Sequence, residues 1–129
     1  MRATVLVIEE DPDLAKLFES ILRVEGYAVM VADHLENARH TMASNAPDVV
    51  ICDWSAPDPS GYLWLDTVRG SSDGGRFPVL LVCNELPSRR VRDLLGDMGV
   101  PTIEKPFDLH YFCRALEGLL PLTERAIGA

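Results

Sequence analysis

Glu9, Glu10, Asp53 and Lys105 stand where short apolar runs stop. Asp53 closes the run Val49-Val-Ile-Cys52, the two glutamates follow Thr4-Val-Leu-Val-Ile8, and Lys105 follows Pro101-Thr-Ile103-Glu104. If these runs are neighbouring parallel strands, all four charges meet at one edge of a sheet. Crowded carboxylates repel, so such a cluster implies a bound divalent cation, raised pKa values, or both. A lysine beside them is a counter-charge that can also hold a transferred phosphoryl group. A charge at the carboxyl end of a buried strand is costly unless a cation or donor compensates it. It also lies where open α/β sheets place their ligands.

The elements that must deliver these residues are legible in the pattern. Val49 to Cys52 is continuously apolar, as in a strand buried on both faces, and Pro57, Pro59 and Gly61 break the chain after it. After the first strand, Asp11 caps a helix with Pro12 in its first turn, and Leu14, Leu17, Phe18, Ile21 and Leu22 recur at helical spacing. Gly26 closes that helix at Glu25. Tyr27 to Ala32 is a second strand, Leu35 to Ser44 a short helix, and Tyr62 to Arg69 another. Gly70 to Arg76 is a polar surface linker inside the domain. Pro78 to Val82 is a fourth strand leading into Cys83, and Ser88 caps a helix running to about Leu95, stopped by Gly96 and Gly99. A fifth strand reaches Lys105, and Asp108 caps a last helix through about Leu120.

Five strands alternating with five helices demand a doubly wound, five-stranded parallel sheet with right-handed crossovers and helices on both faces. The flavodoxin-like order 2-1-3-4-5 would gather the first, third and fifth strand ends at one switch point. That order follows from which strand ends carry charge; alternation alone does not fix it.

At 129 residues, with 47% hydrophobic and 25% charged residues, the chain makes one globular domain with a genuine core. We place that domain at residues 1–121, with 122–129 as a tail or the start of a linker. No apolar run approaches the ~20 residues of a membrane span, and no signal peptide opens the chain. The expectation is a cytoplasmic protein with no membrane partner. A net charge of −8 argues against direct nucleic-acid binding, which needs a basic face. Cys52, Cys83 and Cys113 are far apart and in no metal-ligand spacing, so they read as buried free thiols.

Glu9-Glu10, then Asp53 with Pro57 and Gly61 behind it, then Lys105-Pro106 after a fifth strand: this set resembles the receiver domain of two-component response regulators. The likeness covers about Thr4 to Leu120 and is to stand-alone receivers of the chemotaxis-regulator type. It implies that Asp53 takes a phosphoryl group from a phosphohistidine on a sensor histidine kinase or histidine phosphotransfer protein. It also implies Mg2+ held by Glu10, Asp53 and the backbone carbonyl of Ser55, with Glu9 acting through water, and Lys105 pairing with the phosphoryl oxygens. The output would be a changed face for a downstream protein around the Ser88 helix, the fifth strand and the last helix. The expected protein is a phosphoacceptor, a monomer or weak dimer, and not a turnover enzyme.

This chain departs from the family pattern at three positions. Glu10 stands where an aspartate is usual, and its extra methylene shifts the oxygens by on the order of an ångström against magnesium–ligand distances of ~2.0–2.1 Å. Cys83 stands where Thr or Ser is usual, and a thiol is a weak donor. Thr102 takes the place of the switch aromatic. These departures motivate a rival reading, a degenerate receiver working as a phosphorylation-independent interaction module. A hydrolase of the haloacid-dehalogenase type would need an acid at Ser55. Arg89, Arg90 and Arg92 form a basic cluster that reads as a solvated face or as a dock for an acidic partner. His34, His40 and His110 fall on helix starts or polar faces and are assigned no catalysis.

Overall fold

The computed structural model describes residues 3–54, 78–84, 88–97 and 99–120, without the side chains of Leu35 and Trp54. Ser55, the loop through Gly61, the helix expected over 62–69 and the tail lie outside the described residues. In chain order the elements are β1 (Thr4–Ile8), α1 (Pro12–Val24), β2 (Ala28–Ala32), α2 (Leu35–Ser44), β3 (Val49–Trp54), β4 (Val79–Cys83), α3 (Arg89–Asp97), β5 (Thr102–Glu104) and α4 (Leu109–Gly118).

All strand pairs are parallel, and the sheet order is β2-β1-β3-β4-β5. This is the doubly wound, flavodoxin-like order expected from the charged strand ends. Alternation along the strands sends side chains to two separate cores. Val5, Val7, Ile51, Val82 and Ile103 pack with Phe18 and Leu22 of α1 and Phe112 and Leu116 of α4. Leu6, Ile8, Val50, Cys52 and Leu81 pack with Ala38 of α2 and Leu95 of α3 on the other face.

Local chemistry sets the helix ends. Asp11 Oδ1 accepts from the backbone N–H of Asp13 at 2.9 Å, and Asp108 Oδ1 from that of His110 at 2.7 Å, so both are caps as expected. His34 caps α2, its Nδ1 accepting from the Asn37 N–H at 3.4 Å. Helices α1 and α3 end alike, each on a glycine with positive φ, 94° at Gly26 and 72° at Gly99. In each, the following residue reaches back across the last turn, Tyr27 N to Leu22 O at 3.1 Å and Val100 N to Leu95 O at 2.9 Å.

Some boundaries differ from expectation. Gly96 does not stop α3, which continues to Asp97. A glycine inside a helix is tolerated, and the turn is made where the left-handed conformation falls, at Gly99. Helix α4 ends at Gly118 rather than Leu120, the last residues closing by tighter bonds such as Leu120 N to Glu117 O at 3.1 Å. Strand β4 begins after Pro78 and takes in Cys83. Among the described residues no helix is long and apolar enough to cross a membrane.

Candidate functional site

Strand register brings the charged residues together. Ile8 is level with Cys52 across β1 and β3, Asp53 with Val82 across β3 and β4, and Cys83 with Glu104 across β4 and β5. Glu9 therefore emerges beside Asp53, and Lys105 just past the end of β4. Two backbone bonds fix the flanks: Glu9 N to Ala32 O at 3.0 Å, and Lys105 N to Cys83 O at 2.8 Å. Continued along each strand, the alternation gives Glu9, Asp53 and Lys105 the parity of Val7, Ile51 and Ile103, the face covered by α1 and α4.

Lys105 Nζ lies 2.7 Å from Asp53 Oδ2, with the Asp53 side chain only 4% exposed and that of Lys105 22%. Glu9 is buried as well, and its Oε1 accepts from the Asp11 N–H at 3.0 Å at the mouth of α1. Its other oxygen, Oε2, is buried and accepts no hydrogen bond from the described residues. Burial first, then the neighbouring Asp53 carboxyl, pushes the Glu9 carboxyl up to about 7; the Asp11 N–H and the Lys105 charge pull the other way.

The sequence placed three carboxylates here, and the structure gathers two of them with the lysine. Glu10 is exposed, with no polar partner among the described residues. Among those residues no group of three acids, cysteines or histidines is placed to hold a metal. The donors present nonetheless suit a hard divalent cation: two nearly buried carboxyls side by side, one with an oxygen no hydrogen bond reaches.

Cys83 is fully buried, and its Sγ donates to Ile103 O at 3.7 Å. Burial pushes its thiol pKa up, Glu104 and Asp53 add to that, and Lys105 opposes it. Thr102 is half-buried in β5, and Arg89, Arg90 and Arg92 are all exposed on α3.

Pro106-Phe107 directly behind Lys105 supports a functional reading of that lysine in the sequence, but where the aromatic ring packs is shown only by the fold. Phe107 follows Lys105-Pro106 and packs against the α1–α4 core, stacked on Phe112 with ring centroids 5.2 Å apart. The available signal was an aromatic residue between a charged strand end and a helix cap.

Comparison with known proteins agrees with this geometry. Residues 5–117 match the response regulator receiver domain family. The chain is 34% identical over 111 residues to protein Rrf1 of Nitratidesulfovibrio vulgaris, covering 84% of this chain and 75% of that protein. It spans 50% of the probable transcriptional regulatory protein TcrX of Mycobacterium tuberculosis, at 32% identity over 93% of this chain. In fold it is similar to chemotaxis protein CheY4 of Vibrio cholerae, with a TM-score of 0.78 at 23% identity, covering 93% of this chain and 100% of that one. With acid, aspartate and lysine meeting at the strand ends of a 2-1-3-4-5 sheet, the chain belongs to the response regulator receiver domain family.

Proposed function

We propose that Asp53 accepts a phosphoryl group from a phosphohistidine and that the domain signals through a protein-binding face. The observation that carries this is the 2.7 Å contact of Lys105 Nζ with a nearly buried Asp53 beside a buried Glu9. An Asp53 carboxylate oxygen attacks phosphorus in line with the bond to the donor imidazole. That P–N bond breaks, the imidazole keeps the electron pair and takes a proton from solvent, and a P–O bond forms on Asp53. Charge gathers on the equatorial phosphoryl oxygens during transfer, so positioned cations carry most of the catalysis. Lys105 stands ready as one of them.

Glu10, Asp53 and the Ser55 carbonyl would hold Mg2+, with Glu9 acting through water. When bound, it would offset charge on the transferring group. The receiver domain of sensor histidine kinase PA1611 from Pseudomonas aeruginosa, similar in fold, has a magnesium ion coordinated in its active-site cleft. The donor would be a sensor histidine kinase or a histidine phosphotransfer protein, and the acceptor stoichiometric rather than a turnover enzyme.

The test is chemical mapping. Incubation with acetyl phosphate and Mg2+ is expected to leave one base-labile phosphoryl group, on the peptide containing Asp53. A label on another residue, or none, rejects the assignment. Cys83 offers a second measurement. A hydroxyl donates more strongly than a thiol, and a hydrogen bond to a charged group contributes about 1.5–3 kcal/mol. Cys83→Thr is therefore expected to tighten beryllofluoride binding about tenfold, read by tryptophan fluorescence. Unchanged affinity would place the end of β4 outside the phosphoryl site.

A further inference from the structure

We infer that Phe107 is the positioning residue for Lys105, its ring held against Phe18 of α1 and Phe112 of α4 so that the ammonium reaches Asp53 at a fixed place. Phe107 and Phe112 stack with centroids 5.2 Å apart and planes 22° from parallel; Phe107 and Phe18 stack at 6.5 Å and 17°. Phe18 and Phe112 close the triangle at 5.6 Å, and both are buried, 3% and 0% exposed. The ring is thus anchored on buried aromatic residues of the α1–α4 core.

The segment it holds runs from the end of β5 into the cap of α4. Upstream, Lys105 N bonds Cys83 O at 2.8 Å. Pro106 is exposed and has no N–H to give, and Asp108 already belongs to the cap of α4. Between the end of β5 and the start of α4, Phe107 supplies the apolar anchor. Its neighbour Phe18 lies on the helix whose first turn receives Glu9 Oε1 through the Asp11 N–H at 3.0 Å. The acid loop and the lysine loop are therefore tied to the same helix, and the aromatic contact fixes one against the other. A lysine has four flexible methylenes, so placing its backbone decides where its charge spends its time.

This deepens the phosphoacceptor reading and takes its functional meaning from it; the clamp itself is tested without phosphate. Urea unfolding of Lys105→Met, Asp53→Asn and the double variant gives the coupling between the two charges. With Phe107 present, that coupling is expected to change the unfolding constant about tenfold; in a Phe107→Leu background it falls to about unity. Phe107→Tyr keeps the ring and keeps the coupling. Leu116→Ala, in the same core but outside the aromatic triangle, lowers stability and leaves the coupling intact. If Phe107→Leu does not fold, Phe18→Leu removes the ring's α1 contact and is expected to weaken the coupling in the same sense. Acetyl phosphate labelling should slow about tenfold in Phe107→Leu and recover in Phe107→Tyr. Coupling unchanged without the ring overturns the inference, even if Asp53 labels normally. Coupling lost without the ring, in a protein that never labels, overturns the phosphoacceptor reading and supports the clamp.

Discussion

Asp53→Ala is expected to take up no phosphoryl group, and Lys105→Met to take it up about a hundredfold more slowly than the native protein. The first follows from what else is at hand. Glu9 is the other buried carboxyl in the site, and its Oε1 is already engaged by the Asp11 N–H. Burial also favours its protonated form, which is a poor nucleophile. The second follows from the role of a preplaced charge. Removing one fixed donor from a site where negative charge develops typically costs about 10²–10³ in rate, and the Lys105 ammonium already stands 2.7 Å from the Asp53 carboxyl. Labelled acetyl phosphate, quantified over time at saturating donor, measures both. Label retained in Asp53→Ala, or a Lys105→Met rate within a factor of a few of the native one, would sink the mechanism.

Without metal, the protein should become less stable as pH rises from about 4.5 toward 7. Glu9 binds its proton more tightly folded than unfolded, about 7 against 4.5. Between those values the native state holds the extra proton, so stability falls with increasing pH and levels off above about 7. At about 1.4 kcal/mol per pH unit, a shift of that size corresponds to about 3–3.5 kcal/mol. Urea unfolding in a chelator at pH 5, 6, 7 and 8 reads the slope directly. Glu9→Gln should flatten it, because the amide donates to Asp53 without titrating. Added Mg2+ at pH 7.5 should restore part of the native protein's loss. An equal slope in the glutamine variant would mean that other groups control it.

How far the sequence foretold this molecule depends on the kind of physics involved. Continuous apolar runs at β1, β3 and β4 specify strands buried on both faces, and caps such as Asp11 and Asp108 act locally, so they were legible. Sheet order was legible only because the charges at Glu9, Asp53 and Lys105 had to be reconciled at one edge. The end of α3 was misjudged because Gly96 and Gly99 are the same residue type. Which one adopts positive φ depends on Leu95 and Val100 turning into the core. Which of two adjacent glutamates turns inward is set by strand parity, which carries Glu9 toward Asp53 and leaves Glu10 exposed. The packing of Phe107 was not legible because its partners, Phe18 and Phe112, are remote and near in sequence respectively, and only the fold brings all three together.

The two-sided core makes the molecule lopsided in what it tolerates. Glu9, Asp53 and Lys105 lean toward the layer of Phe18 and Phe112, while Leu6, Val50, Leu81 and Leu95 fill the opposite layer. The sheet stands between them as a partition. Designers wishing to retune thermal robustness have that opposite layer in which to work, short of Cys83, which shares the strand parity of Val79 and Leu81 yet feels the Asp53 and Lys105 charges. Any remodelling on the aromatic side, by contrast, reaches the chemistry through the lysine it carries.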